Sequence, residues 1–515
     1  MNPPAVQDTA RFYNLGALIE RSRDLDKPAL IDLGAERPPR VVAYRELDAA
    51  ANGVANALAR RGYARGERVA IVSANRCEFL AAYFGIMRAG LVAVPVNFKF
   101  PAAMIEYVLR DCDARLVFCD PPRSKVLPAD LPRIEFGAAS SDGFEAFLVP
   151  GSFEALRPRP GEPAMFLYTS GSTGKPKGVV LSHQSHIWVA ETRAAGRDWS
   201  DQRILIAAPL YHMNALALAK FASVAHATVI LQPQFNARDY IEATARYKAT
   251  WLTAVPPMIA MMLRESELIE RADLSSVQNL RMGSAPVSQS LMDQLRRTLP
   301  NASILNAYGT TEAGPIVFGP HPRGVPQPAL SVGYAHPQVS LRLADGDNLD
   351  AAEGVLQMKA PAQMNCYHKL PDLTREVTTQ DGYYITGDLF RRDENGFHTF
   401  IGRVDDMFVS GVENIYPSRV ERVLERHPAV EQASVIAVAD DIKGTKPVAF
   451  VVLKHGWRAT EHEIKEYALA LAPAYEHPRR VWFLPQLPLS GTNKIDRKAL
   501  EALAASYIAT GQETT

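Results

Sequence analysis

From residue 67 onward, short apolar runs alternate with helix-periodic segments, and this alternation is the strongest constraint on how the 515-residue chain can fold. Runs at 68–72, 91–96, 204–208, 228–231 and 250–254 read as strands, and 79–88, 104–111, 237–247 and 288–299 read as helices. Such alternation predicts an α/β fold, with parallel sheets covered by helices. Ligands in folds of this kind sit beyond the C-terminal ends of the strands, where the loops are. From about residue 330 to 402 the texture changes: Gly and Asp punctuate short runs such as 355–358 and 383–385, which predicts antiparallel, barrel-like β-structure. Beyond Arg403 a helix (418–426), two strands (433–438 and 448–453) and a further helix predict a small α+β domain. Thr460 with Glu463 forms a capping box for the last of these. The boundary falls at Val404–Asp405, giving an N-terminal domain over 1–404 and a C-terminal domain over 405–515.

Within the α/β region, TSGSTGKPKG occupies residues 169–178 directly after the apolar run 164–168. Glycines let backbone N–H groups approach a ligand, hydroxyls donate hydrogen bonds and lysines neutralise charge, so the segment can wrap phosphate oxygens. It is not a P-loop, which requires Ser or Thr after Gly-Lys at a helix start; here Pro176 follows Gly174–Lys175. The same composition also suits a plain surface turn.

Charge excludes several function classes. Lys plus Arg and Asp plus Glu number 56 each, so no net field recruits nucleic acid or anionic lipid, and a phosphate site must be a local concentration of charge. Cys77, Cys112, Cys119 and Cys366 show no metal-ligand spacing, which points to a reducing, cytoplasmic setting. The N-terminal residues lack a signal pattern, and the longest apolar region, 79–96, is broken by Arg88, Gly90 and Pro95, so no integral membrane association is expected.

The motifs and their order resemble those of the adenylate-forming superfamily: acyl-CoA synthetases, nonribosomal adenylation domains and firefly-type luciferases. The resemblance runs from about Tyr44 to Leu500. It is carried by MRAG ending at Gly90, VPVN ending at Asn97, the 169–178 segment, PLYH ending at His212, and GSAP from Gly283. NAYGTTE ending at Glu312, TGD ending at Asp388, GRVDD from Gly402, SGVENIYP from Ser410 and LSGTNKIDR ending at Arg497 complete the series. The resemblance implies a two-step reaction in which a carboxylate attacks the α-phosphorus of ATP, releasing pyrophosphate, and a thiol then displaces AMP. ATP, Mg²⁺ and coenzyme A are the implied cofactors and co-substrates, and a small carboxylic acid is the implied partner.

By the same resemblance, Thr169, Ser170, Gly171, Ser172, Thr173, Gly174, Lys175 and Lys177 would hold the β- and γ-phosphates. Glu312 would ligate Mg²⁺, which takes one or two carboxylates plus phosphate oxygens. Thr311 would contact the α-phosphate. Asn306, Ala307, Tyr308, Gly309 and Thr310, with the Gly283, Ser284, Ala285, Pro286 turn, would surround adenine. Asp388 would accept from the ribose hydroxyls and Arg403 would reach ribose or phosphate. Lys494 would steady charge as pyrophosphate departs. Asp405 would be the hinge of a swinging C-terminal lid whose Ser410 and Gly411 face the coenzyme A side. Asn493 stands where relatives have Gly, and tolerates φ > 0 better than most residues.

His212 would gate the carboxylate and thiol passages, and Met213, Asn214, Ala215, Ser284, Pro315 and Ile316 would line the acyl pocket. This lining is mostly apolar and contains no Arg or Lys, which disfavours a dicarboxylate and favours an aromatic or medium-chain monocarboxylic acid. An acyl-CoA ligase is therefore the leading expectation. A carrier-protein-loading enzyme, a luciferase-like oxygenase and a non-catalytic nucleotide binder are the alternatives, and a homodimer is left open.

Overall fold

The computed structural model describes residues 11–34, 38–137, 143–169, 175–283, 285, 287–410, 413–440, 444–491 and 493–510. Two seven-stranded sheets form the larger part. One runs in the order Ser303–Ala307, Asn279–Gly283, Trp251–Ala254, Arg203–Ile206, Thr228–Leu231, Pro28–Asp32, Arg40–Ala43, parallel except at the last strand. The other runs Cys366–Tyr367, Lys177–Ser182, Pro163–Thr169, Val92–Pro95, Arg68–Val72, Ala114–Cys119, Arg133–Glu135. Its first two pairings are antiparallel and the rest parallel.

Helices between the sheets close the main core. Tyr44–Arg60 crosses Cys77–Arg88 closely because Gly85 lacks a Cβ; one there would lie 2.6 Å from both the Ala51 carbonyl oxygen and Val54 Cβ. Arg88, buried beside this crossing, pairs with Asp48 at 2.7 Å and donates to the Gly16 carbonyl at 2.7 Å. The Arg of the MRAG motif is thus a structural tie. Its hydrogen bonds compensate a charge that would be costly to bury alone.

Six antiparallel strands follow where barrel-like β-structure is predicted, in the order Phe318–Gly319, Gly333–Ala335, Phe397–Arg403, Tyr384–Arg392, Glu353–Lys359, Ser340–Ala344. The C-terminal part centres on Gly444–Leu453, antiparallel to Val430–Asp440 and parallel to Val481–Phe483, with helices Pro417–Leu424, Glu461–Leu471 and Arg497–Thr510 around it. Thr460 and Glu463 form the capping box read from the sequence. Among the described residues no helix is long and apolar enough to cross a membrane.

Candidate active site

The 169–178 segment is the tip of a hairpin rather than a strand-to-helix loop. Strand Pro163–Thr169 pairs antiparallel with Lys177–Ser182, Thr169 opposite Lys177. Ser170, Gly171, Ser172, Thr173 and Gly174 lie outside the described residues. Gly178 leaves room on this hairpin for the Tyr168 ring, which a Cβ there would approach to 3.0 Å. The strand Cys366–Tyr367 extends the hairpin and sets Tyr367 beside it; Lys177 Nζ lies 4.9 Å from the centre of that ring.

Tyr367 connects the hairpin to Glu312. Its hydroxyl donates to Glu312 Oε1 at 2.8 Å, and burial together with the Glu312 charge pushes the phenol pKa up, so the phenol stays a donor. The loop carrying Glu312 leaves the sheet after Ser303–Ala307 and folds back on itself: Gly314 N–H donates to the Thr310 carbonyl at 2.9 Å and Ala313 N–H to Thr310 Oγ1 at 3.0 Å. Gly309 permits this, because a Cβ would fall 2.7 Å from Pro315 Cα. At the neighbouring strand end, a Cβ on Gly283 would fall 2.8 Å from the Ala307 carbonyl oxygen. Asn306 Nδ2 donates to the Leu330 carbonyl at 3.1 Å.

Asp388 is buried at 4 % exposure opposite Arg403 in the antiparallel pair. Arg403 donates to its Oδ1 at 2.8 Å, and the Tyr308 hydroxyl donates to its Oδ2. Burial raises the Asp388 carboxyl pKa and the Arg403 charge opposes that rise. Arg403 also reaches Asp405 at 3.2 Å, in the exposed turn joining the two parts of the chain.

Lys494 comes into the same cavity from the C-terminal part. Its loop is fixed by Asn493, whose φ of +59° is the left-handed turn that Asn tolerates, and by the Ser490 N–H donating to the Lys494 carbonyl at 2.7 Å. The Tyr211 hydroxyl donates to the Gly491 carbonyl on this loop at 3.1 Å. The Lys494 side chain is exposed to the cavity, and desolvation by the protein around it lowers its pKa, as does the Arg403 charge; Asp388 and Glu312 pull it back up. His212 is pushed down to about 3 by burial with Lys494 and Lys99 nearby, so its ring is neutral, and its Nε2 is buried without a partner among the described residues.

One cavity of about 1100 Å³ joins these groups. Its walls include Thr169, Lys177, His212, Gly283, Ala285, Asn306, Ala307, Tyr308, Gly309, Thr310, Thr311, Glu312, Asp388, Arg403, Asp405 and Lys494, and, of the residues expected at an acyl pocket, Met213, Asn214 and Pro315. Four expected residues stand elsewhere. Lys175 is exposed, with Nζ 5.3 Å from the Tyr107 ring centre, because the hairpin turns it outward. Ala215 is fully buried in the main core, and Ile316 packs with Val189, Ala217 and Ala362; the helix and loop turn these apolar side chains away from the cavity. Ser410 is buried in a small hairpin opposite Glu413, away from the cavity. Ser284, Pro286 and Gly411 lie outside the described residues.

The wall also holds residues that sequence reading missed. Tyr367 and Tyr384 flank Glu312; Tyr384 lies in the run 383–385 read as β-structure, but nothing in that pattern sets either tyrosine beside Glu312. Arg281 lines the cavity and donates to the Pro315 carbonyl, which corrects the expectation of a lining without Arg or Lys. Its signal was available: by period two it shares a strand face with Gly283. The Glu312 carboxylate suits a magnesium ion, since Oε1 takes one protein donor and Oε2 is left for a hard cation beside incoming phosphate oxygens.

Comparisons with known proteins agree with this geometry. Residues 20–368 match the family described as AMP-binding enzyme, and 419–494 match the AMP-binding enzyme C-terminal domain. The fatty acid–[acyl-carrier-protein] ligase ScoC of Streptomyces coeruleorubidus is 31% identical over 478 residues, 90% of this chain and 91% of that protein. An indoleacetate–CoA ligase of Aromatoleum aromaticum is 30% identical over 515 residues, covering 95% and 98%. ATP-bound MatB from Rhodopseudomonas palustris superposes with a TM-score of 0.85 at 27% identity, covering 96% of this chain and 99% of that one. The apo form of the same enzyme gives 0.77. With two family matches in the expected order and relatives aligned over nearly their whole length, the chain belongs to the AMP-binding enzyme family.

Proposed function

We propose that the protein is an ATP-dependent carboxylic acid–CoA ligase that forms an acyl-adenylate and pyrophosphate, then an acyl-CoA thioester and AMP. The observation that carries the proposal is the meeting of Thr169, Lys177, Glu312, the Asp388–Arg403 pair and Lys494 around one cavity. In the first step a carboxylate oxygen bonds to the α-phosphorus as the bond to the pyrophosphate oxygen breaks. An anion approaches a polyanion, so fixed cations and donors must absorb the charge. Lys177 and the hairpin take the outer phosphates and Thr311 the α-phosphate, while Asp388 and Arg403 hold the ribose. Lys494 stands against the developing charge. Magnesium at Glu312 would neutralise phosphate charge. In the second step the thiol sulfur bonds to the acyl carbon and AMP leaves.

The neutral His212, at the start of the helix that borders the acyl end, gates the approach of carboxylate and thiol. We divide the chain into an adenylation domain, 1–404, and a lid, 405–515, hinged at Asp405; the lid's Ser410 and Gly411 turn to the coenzyme A side in the second step. The acid has an aromatic or medium-chain skeleton. Four free thiols favour a cytoplasmic location. The first relative above uses a carrier protein, so a phosphopantetheine thiol is the second reading of the acceptor.

The test is a panel of carboxylic acids with ATP and Mg²⁺, supplied with coenzyme A or a holo-carrier protein, scored for AMP release and thioester mass. Acid-dependent AMP and acyl-CoA are expected. Thioester on the carrier alone would move the acceptor, and ATP binding without AMP release for any acid would leave only a nucleotide-binding protein.

A further inference from the structure

We infer that the acyl end of the cavity takes an acid with a second anionic group, a carboxylate or sulfonate at the far end of its aromatic or medium-length skeleton, which pairs with Arg281. The inference rests on the ligase reading and names its substrate class.

Arg281 stands mid-strand, in register with Thr253 on one side and Leu305 on the other. Asn214 Nδ2 donates to Thr253 Oγ1 at 3.3 Å, which places the start of helix Met213–Ala225 against the same region. Arg281 Nη2 donates to the Pro315 carbonyl at 2.9 Å. Among the described residues its guanidinium makes no other hydrogen bond and pairs with no carboxylate. The phosphate-binding hairpin, Glu312 and Lys494 are the groups assigned to ATP, so Arg281 is a cation the nucleotide does not need.

A second guanidinium lies close enough for its charge to act against that of Arg281. Arg193, on helix His183–Ala194, has Nε, Nη1 and Nη2 all buried without a hydrogen-bond partner among the described residues. Lys220 comes next, fully buried, with Nζ 3.0 Å from His186 Nδ1. The nearest acid on the Arg193 helix, Glu191, accepts from the backbone N–H groups of Phe12 and Arg11 instead. Lysine can relieve such crowding by losing its proton, and burial brings Lys220 down to about 7. Arginine cannot. Two guanidinium groups without a counter-ion make an uncompensated buried charge, which is strongly unfavourable. An anion on the substrate supplies the missing partner, and a planar guanidinium accepts a carboxylate or sulfonate through paired N–H donors. A monocarboxylic acid uses its only charge at the α-phosphorus and leaves Arg281 facing hydrocarbon.

The experiment compares matched acids with the full chain, ATP, Mg²⁺ and coenzyme A: adipic against hexanoic, terephthalic against 4-methylbenzoic, and 4-sulfobenzoic against 4-methylbenzoic acid. The readout is kcat/KM for pyrophosphate release, with product mass. The dianionic member of at least one pair is expected to be favoured by about 100-fold, the range found when one partner of a buried charge pair is removed. Arg281→Gln should lower that ratio by a similar factor, mainly through KM, and Arg281→Lys should restore part of it. Equal or better use of the monoacid in every pair, or a ratio that Arg281→Gln leaves unmoved, overturns the inference while the ligase reading stands. Turnover of none of these acids, when a wider panel is also inert, removes the ligase reading and this inference together. The wild-type ratio needs no variant, so a misfolded Arg281→Gln still leaves a decisive measurement.

Discussion

In the proposed reaction Lys494 must be charged to serve the departing pyrophosphate, yet it sits where desolvation and Arg403 both lower its pKa. Two outcomes are expected. Lys494→Ala should reduce acid-dependent pyrophosphate release by about 100-fold or more, the size of loss seen when a fixed donor to transition-state charge is removed. It should spare thioester formation from a supplied acyl-adenylate, and equal loss of both steps would refute the assignment. The pH profile carries the second. A lysine with a lowered pKa loses its charge at lower pH than an ordinary one, so adenylation should decline on the alkaline side before the usual lysine range. Thioester formation should lack that limb, and a shared limb would point to another group. Among residues, the charged members of recognisable motifs were legible: Glu312, Asp388, Arg403 and Lys494 all line the cavity. Arg281 was missed although period two sets it on the strand face of Gly283, because a lone cation in a strand reads locally like any surface residue, and only the fold shows that no acid among the described residues answers it.

At the level of elements, the loop following Ser303–Ala307 decides where Thr311 and Glu312 stand. Gly309→Ala would place a Cβ 2.7 Å from Pro315 Cα and 2.8 Å from the Gly314 carbonyl oxygen, both backbone atoms that cannot rotate away. The loop would shift by several tenths of an ångström or more. A misplacement approaching 1 Å costs about 100-fold in rate. The expected result is a loss of 10- to 100-fold in adenylation with the Mg²⁺ requirement raised and circular dichroism unchanged, and wild-type kinetics would show that the loop tolerates the methyl group. The parallel strands and covering helices were legible because continuous apolar runs and 3.6-residue periodicity are local signals. The partners of those strands were not. Lys177–Ser182 pairs with Cys366–Tyr367, nearly two hundred positions away, and that pairing delivers Tyr367 to Glu312. Nothing in the local pattern encodes it.

For the whole molecule, buried histidines set the acid limit. His183 and His398 are 1 % and 5 % exposed, and burial lowers both to about 4. His183 Nδ1 accepts the Leu15 N–H at 3.0 Å, so a proton there would break a native hydrogen bond. The folded chain therefore binds these protons later than the unfolded chain does. Stability is retained above the ordinary histidine pKa, about 6.5, and lost as pH falls below it. At pH 5 the two together should cost about 4 kcal/mol, from about 1.4 kcal/mol per residue per pH unit. Denaturant midpoints at pH 7.5 and 5 should differ accordingly and the difference should narrow in His183→Gln. Midpoints that do not move between these pH values would contradict it.

The arrangement of the two domains yields a sharper test. Lys494 is in the cavity because the C-terminal part of the chain, proposed as a lid, rests on the rest through Tyr211 and Gly491, and through Arg264, which reaches Glu431 at 3.1 Å. The better superposition on the ATP-bound than on the apo relative agrees with a pose suited to the first step. If the lid must then turn about Asp405, holding it still should separate the two chemistries. A Cβ on Gly491 would lie 3.2 Å from Lys99 Cβ, close to the ~3.5–4.5 Å spacing of a disulfide. Lys99→Cys with Gly491→Cys, oxidised, should keep acid-dependent pyrophosphate release, accumulate acyl-adenylate and form little thioester. Reduction should restore thioester formation. The native thiols interfere little, since Cys77, Cys112 and Cys119 are buried and only Cys366 is partly exposed. Thioester formation undiminished in the fully cross-linked protein would mean that one pose serves both half-reactions and that Asp405 is no hinge.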